Sequence, residues 1–225
     1  MDKKKLVFED LGKKEYEKTW NYQKKLFNNM IKRKHYSSKE VGYILFVEHH
    51  HHVYTIGKNG NKKTNLLVSS DFLKKKQVSF YHIDRGGDIT YHGPGQLIVY
   101  PILDLEYFFK DIHKYLRFLE EVIIHFLWSN YKIHGIREKG KTGVWLNNQK
   151  KICAMGIRIS RWITMHGFAL NVNTNLNYFN YIIPCGIQNR KVTSLKEFFK
   201  KKVSFHEVKY QIKKSFEKIF NVDMI

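Results

Sequence analysis

A chain of 225 residues, 43% hydrophobic and 15% aromatic, can bury a sizeable core as one large domain, residues 1–225, without covalent staples. Two cysteines, Cys153 and Cys185, exclude a disulfide framework and fit a reducing compartment, and the missing CxxC pair argues against structural zinc. The formal net charge of +20 suggests anionic partners, but it comes mostly from lysines spread along the chain among many Asn, Ile and Tyr, as composition bias alone would produce. No apolar run approaches the ~20 residues that span a bilayer, and the basic start lacks the apolar stretch of a secretory signal. A cytoplasmic location, or an organelle matrix in a eukaryote, is therefore expected.

In chain order, residues 12–34 read as a helix, with Tyr16, Trp20, Gln23, Phe27 and Met30 at 3–4 spacing. Residues 41–48 read as a buried strand. Four consecutive histidines follow, His49 to His52; neighbouring strand residues point to opposite faces, which argues against a metal tract. Residues 58–65 are a polar loop, and 70–76 a short helix capped by Ser70. Residues 78–84 and 96–103 read as strands on either side of DRGGDITYHGPG, whose Gly and Pro forbid a helix interior. Residues 111–130 form an amphipathic helix with Ile112, Tyr115, Leu119, Val122, Ile123 and Phe126 on its apolar face. Strands are expected at 143–147, 151–160 and 163–173, with a hairpin turn at Asn147–Asn148. An irregular stretch, 175–180, and a tight turn, 182–187, precede a short helix at 193–199. A final helix, 204–220, opens on a capping-box pattern of Ser204 and Glu207. Helices at the ends and middle with strands grouped between them make an α+β fold on a mixed or antiparallel sheet with flanking helices.

Residues 85–96 read either as a long hairpin turn or as the wall of a site, where glycine lets backbone approach a ligand beside proton-exchanging groups. Cys185 lies between Pro184 and Gly186, a turn that can present a thiol to a cleft beside free N–H groups. A buried structural cysteine is the alternative, and Cys153, in an apolar strand, fits that alternative. A nucleophilic Cys185 needs a base or a cation, and His92, His166 and Lys151 are all candidates by type. No serine nucleophile elbow, HExxH, Walker loop or dinucleotide fingerprint is present. The positive charge is not gathered into a stripe and no RNA- or zinc-finger signature accompanies it, which argues against a nucleic-acid-binding module.

Several patches together resemble one family. LVFEDLG, YEKTWNYQ, EHHHHVYTIG, DRGGDITYHGPGQLIVYPILDL, KTGVWL, KKICAMGIRI, MHGFALNVN, IPCGI and VTSL are similar, in order from about residue 6 to 200, to segments of the lipoyl(octanoyl) transferases. These enzymes move an octanoyl group from acyl carrier protein to a protein lysine. The resemblance implies a biotin/lipoate protein ligase-like fold. It places the acyl-thioester nucleophile on Cys185 and the lysine that favours its thiolate and acts as acid and base on Lys151. It places the acyl pocket on Arg85, Gly86, Gly87, Asp88, Ile89, Thr90, Tyr91 and His92, on Ala154, Met155 and Gly156, and on Gly167, Phe168 and Ala169.

The resemblance further implies octanoyl-phosphopantetheine on the carrier as donor. The implied acceptors are lipoyl domains of 2-oxoacid dehydrogenase E2 subunits and the glycine cleavage H protein. It implies no ATP, no metal, no membrane partner and a monomer. His51 and His52 stand where the family usually has proline. The rival inside the same fold is an ATP-dependent lipoate or biotin protein ligase, which a requirement for ATP and release of AMP would reveal.

Overall fold

Long apolar runs place the main sheet. The computed structural model describes residues 3–34, 41–146, 150–183 and 191–225. The chain opens with β1 (Lys4–Lys14) and α1 (Tyr16–Arg33). Then come β2 (Gly42–His49), β3 (His52–Ile56), the one-turn helix α2 (Lys62–Asn65) and α3 (Ser70–Lys75). β4 (Val78–His82), β5 (Ile89–His92) and β6 (Gln96–Leu103) lead to the long helix α4 (Ile112–Tyr131). β7 (Gly135–Ile136), β8 (Val144–Leu146), β9 (Lys150–Ser160) and β10 (Ile163–Asn171) follow. β11 (Lys191–Val192), α5 (Leu195–Phe199), α6 (Phe205–Phe220) and β12 (Val222–Met224) complete the chain.

Among the described residues, nine strands form a sheet in the order β12-β1-β2-β6-β10-β9-β8-β7, with β11 beside β9. β1 runs parallel to β12 and β2, and β11 parallel to β9; the other neighbours are antiparallel. A smaller sheet, β4-β3-β5, is also mixed. The expected α+β class with a mixed sheet and flanking helices is the fold observed.

Every residue of β6 is buried, because helices cover both faces of the main sheet. Leu97, Val99 and Leu103 pack with Tyr115, Leu119, Val122 and Phe126 of α4 and Val208, Ile212 and Phe216 of α6. The alternate residues Ile98, Tyr100 and Ile102 pack with Leu26, Phe27 and Met30 of α1. A strand buried on both faces reads as a continuous apolar run without alternation.

Several boundaries differ from the sequence reading. The first helix begins at Tyr16, because Gly12 sits at φ +64 inside β1 and Glu15 is extended. Lys62–Asn65, read as loop, makes one helical turn capped by the Asn61 side chain. Ser69, and not Ser70, caps α3. Ile112, placed on the apolar face of α4, is 43% exposed in its first turn, beyond the core. Ser204 accepts from Glu207 N, as the capping pattern requires. The Asn147–Asn148 turn and most of the 182–187 turn, Cys185 included, lie outside the described residues.

Candidate active site

The apolar run of β6, the small residues of β9 and β10, and the glycine loop before β5 meet around a cavity of about 430 Å³. Residues 85–90 and His92 line one side, Ala154, Met155 and Gly156 another, and Gly167, Phe168 and Ala169 a third. Lys151, Trp145 and Thr142 line it too, as do Lys191 and Val192. Thirteen of the fourteen residues placed in a pocket by the resemblance thus surround one space.

Tyr91 is the one of the fourteen that does not line this cavity. It alternates with Thr90 and His92 along β5 and turns the other way, where its hydroxyl meets His52 Nδ1 at 2.8 Å and its ring stacks on Tyr178. It belongs to the core of the small sheet with Tyr54, Ile56 and Phe179.

The loop before β5 is pinned by its own backbone. Gly86 N donates to Ile157 O at 2.9 Å, and the carbonyls of Arg85 and Gly87 accept from Lys58 N and Asn59 N at 3.0 and 3.2 Å. Gly156 is required where this loop crosses β9, since a Cβ there would stand 2.8 Å from Arg85 Cδ and 3.1 Å from Gly86 O. The polar side chains of the loop serve the scaffold. Arg85 donates to Thr55 O, Thr55 Oγ1 and Gly86 O at 2.9, 3.1 and 3.0 Å. Asp88 accepts from Ile89 N and from Asn65 Nδ2 at 2.6 and 3.0 Å.

His92 is buried, and burial, with His49 nearby, pushes its ring down to about 3. The neutral ring donates from Nδ1 to Gln96 Oε1 at 2.9 Å, and Nε2 faces Thr55 Oγ1 at 3.4 Å. Gln96 Nε2 donates to Asn171 Oδ1 at 2.9 Å, Asn171 Nδ2 to Thr193 O at 3.0 Å, and Thr193 N to Lys151 O at 2.9 Å. A chain of satisfied buried polar groups therefore runs from the glycine loop to the strand of Lys151.

His166, at φ +63 in β10, contacts Asp84 Oδ1 at 2.8 Å, and Arg158 pairs with the same carboxylate. The His166 hydrogen bond, more than Arg158, holds Asp84 down at about 2, while burial holds His166 below its ordinary range. His49 gives Nδ1 to Lys14 O at 3.0 Å and meets the Tyr100 hydroxyl at 3.3 Å. His50 and His51 are exposed, so the four histidines do not converge. Cys153 is fully buried and burial pushes its thiol far up, which leaves it inert.

Lys151 is half-buried in β9. Its Nζ stands 4.6 Å from the centre of the Trp145 ring and 3.4 Å from Thr142 O. Cys185 lies outside the described residues, but the residues flanking its segment are placed. Ile183 N donates to Asn65 O at 2.8 Å and Asn65 Nδ2 to Ile183 O at 3.1 Å. On the other side Lys191 and Val192 pair with Lys150 and Lys151.

Sequence reasoning missed Thr55, Asn65, Trp145, Asn171 and Thr193. The motifs that carried the resemblance held four of these, but nothing in them distinguishes a side chain that faces the cavity from one that fixes its wall. Asn65 sat in a stretch read as loop.

Residues 15–217 match the lipoyl protein ligase A/B catalytic domain model. An octanoyltransferase of Flavobacterium psychrophilum is 52% identical over 99% of each chain, and one of Flavobacterium johnsoniae 51% over 99% of each. Among solved structures, a bipartite lipoate protein ligase of Thermoplasma acidophilum, described with its E2 lipoyl domain, superposes with a TM-score of 0.73. That likeness covers 100% of this chain and 86% of the other at 17% identity, so it concerns the fold alone. The chain belongs to the lipoyl protein ligase A/B catalytic domain family. Within that family it is an octanoyltransferase, an acyltransferase.

Proposed function

We propose that the octanoyl group arrives as a thioester on the phosphopantetheine arm of acyl carrier protein and leaves on the target lysine of a lipoyl domain, passing through Cys185. The observation that carries this reading is a cavity with apolar walls that reaches Lys151, with both flanks of the 184–190 segment bonded beside it. The Cys185 thiolate bonds to the octanoyl carbonyl carbon, the bond to the carrier sulfur breaks, and that sulfur leaves as a thiol on a proton given up by the Lys151 ammonium, which becomes the neutral amine. The acceptor lysine nitrogen then bonds to the same carbon as the Cys185 thioester breaks, and Lys151 takes the proton that nitrogen releases. An ammonium near the sulfur favours its thiolate, and the neutral amine serves as base.

Thioester to amide runs downhill, so the reaction needs no ATP. Acceptors are lipoyl domains of 2-oxoacid dehydrogenase E2 subunits and the glycine cleavage H protein. Positive surface charge speeds encounter with acidic protein substrates in a salt-dependent way. The chain works as one catalytic domain, as a monomer, in the cytoplasm; the family match from 15 to 217 supports a domain of that extent. No helix among the described residues is long and apolar enough to cross a membrane.

Incubation with octanoyl carrier and no acceptor is expected to add one octanoyl mass to the peptide holding Cys185, and Cys185→Ala to abolish the adduct. An adduct that persists in the variant would place the nucleophile elsewhere. Gly86→Val tests the pocket. A Cβ at 86 meets no heavy atom nearer than Ile157 O at 3.6 Å, so the backbone there tolerates a side chain. The KM for the donor should rise about 10- to 200-fold, with Cys185 still open to a small alkylating reagent. An unchanged KM would show that the acyl chain lies elsewhere.

A further inference from the structure

Glu120 is a carboxylate with no exposed surface, set in the middle of α4. Nothing in the proposed reaction uses it. Burying a charge requires partners for it, and Glu120 has three. Oε2 forms an ion pair with Arg117 at 2.8 Å and accepts from Arg137 Nε at 3.2 Å. Oε1 accepts from the backbone N–H of Gly143 at 3.0 Å. Burial raises the carboxyl from its ordinary value, and Gly143, Arg117 and Arg137 oppose that rise.

The third partner is the informative one. Gly143 closes the loop between β7 and β8 and lies directly after Thr142, whose carbonyl faces Lys151 Nζ at 3.4 Å. Gly143 adopts φ +129, and a Cβ there would lie 2.6 Å from Cys153 O and 3.5 Å from Lys151 Cε. The loop therefore passes against β9 at Lys151, in a conformation that only glycine adopts without strain. At Gly143 its bond to the helix side is the one to the Glu120 carboxylate. Arg137, at the start of the same loop, bonds both Glu120 and Arg117 O. Glu120 thus holds the loop at both ends.

We infer that Glu120 is a positioning residue for octanoyl transfer, acting through Gly143 and the Thr142 carbonyl to fix the Lys151 amine against the cavity. The inference rests on the acid–base reading of Lys151. Misplacing a catalytic group by about 1 Å costs up to about 100-fold in rate. Glu120→Ala, assayed as the full chain, is accordingly expected to lower kcat about 10- to 100-fold with a smaller effect on the donor KM, since Glu120 itself does not line the cavity. Glu120→Gln, which still offers an oxygen to Gly143 N, should recover most of that loss. Glu121→Gln is the control: Glu121 shares Arg137 but not Gly143, and its loss should leave kcat unchanged.

Two further readouts keep the test decisive if Glu120→Ala does not fold. Gly143→Ala disturbs the loop with Glu120 intact and should reproduce the kcat loss. Acetic anhydride labelling, mapped by mass spectrometry, should show altered acetylation of Lys151 in Gly143→Ala, with Lys151 in Glu120→Gln and the other lysines close to the parent protein. A folded Gly143→Ala with full kcat and unaltered Lys151 labelling would overturn the inference. An inactive Lys151→Ala beside fully active Glu120 and Gly143 variants would sink this inference alone, whereas a fully active Lys151→Ala would remove the reading beneath it.

Discussion

Lys151→Ala is expected to lower octanoyl transfer by about 10²- to 10⁴-fold, the range of a lost general acid–base group, in a protein that folds as before. The substitution removes an amine standing 4.6 Å over the Trp145 ring and 3.4 Å from Thr142 O. It leaves intact the backbone bond from Thr193 N to Lys151 O and the strand pairings to Trp145 and Val192, which belong to the main chain. Lys151→Arg separates the two tasks of the side chain. Arginine keeps the positive charge but does not deprotonate in proteins, so it can support a thiolate and cannot act as base. Acyl-enzyme formation should survive in Lys151→Arg better than transfer to the acceptor lysine. Rapid-quench measurement of the two half-reactions, with thermal melting as the control for folding, checks this. Near-normal turnover in the alanine variant would withdraw the role.

Acidification from pH 7 to pH 5 is expected to remove about 4 kcal/mol of stability, through two buried histidines. Burial lowers His49 to about 4 and His92 to about 3, from an ordinary value of 6.5. Between those limits the unfolded chain binds a proton at each ring and the folded chain does not, so stability rises with pH through this window and falls as pH drops below 6.5. At pH 5 each ring contributes about 2 kcal/mol of loss. His166, lowered in the same direction, adds to it. Asp84 does not oppose it in this range: its pKa of about 2 gives stability that is complete above about 4 and lost only as pH falls further. Melting temperature should fall by about 10 °C between pH 7 and pH 5, and the dependence should flatten in His49→Gln/His92→Gln. A melting temperature constant across this range would contradict the buried, neutral state of both rings.

The parts of the fold that sequence made legible are those whose pattern is local. α4 and α6 announce their buried faces by 3–4 spacing, and α6 its start by Ser204, which caps as expected; Asp111 caps α4 as well. β2 and β6 stand out as unbroken apolar runs. β1 does not, because KKLVFEDLGKK has no strand pattern of its own and is extended only by its pairing with β2 and β12. Propensity yields there to partners far away in the chain. β5 hides among the glycines of the pocket loop for the same reason.

The candidate site was legible in outline through motif resemblance, and in chemistry only in part. Gly, His and Asp in residues 85–92 line the cavity, but Arg85 and Asp88 are bonded to the surrounding scaffold, and Tyr91 faces the other way. Choosing Lys151 over His92 and His166 needed the resemblance, since spacing cannot report which side chain shares a cavity with which flank. Gln96, Asn171 and Glu120 matter through contacts between distant segments, which leave no periodic trace in the sequence.

Those distant contacts bear on folding order. Asp84 and His166 meet across 82 residues, Asp84 and Arg158 across 74, and Asn65 and Ile183 across 118. Loops of that size close slowly, and a topology rich in such contacts folds more slowly than one built from neighbours. The helices can form early, while the cavity waits for the small sheet to dock on strands made much later in the chain. Acyl transfer is consequently a late-acquired property in refolding: recovery of activity should lag behind recovery of helical circular dichroism.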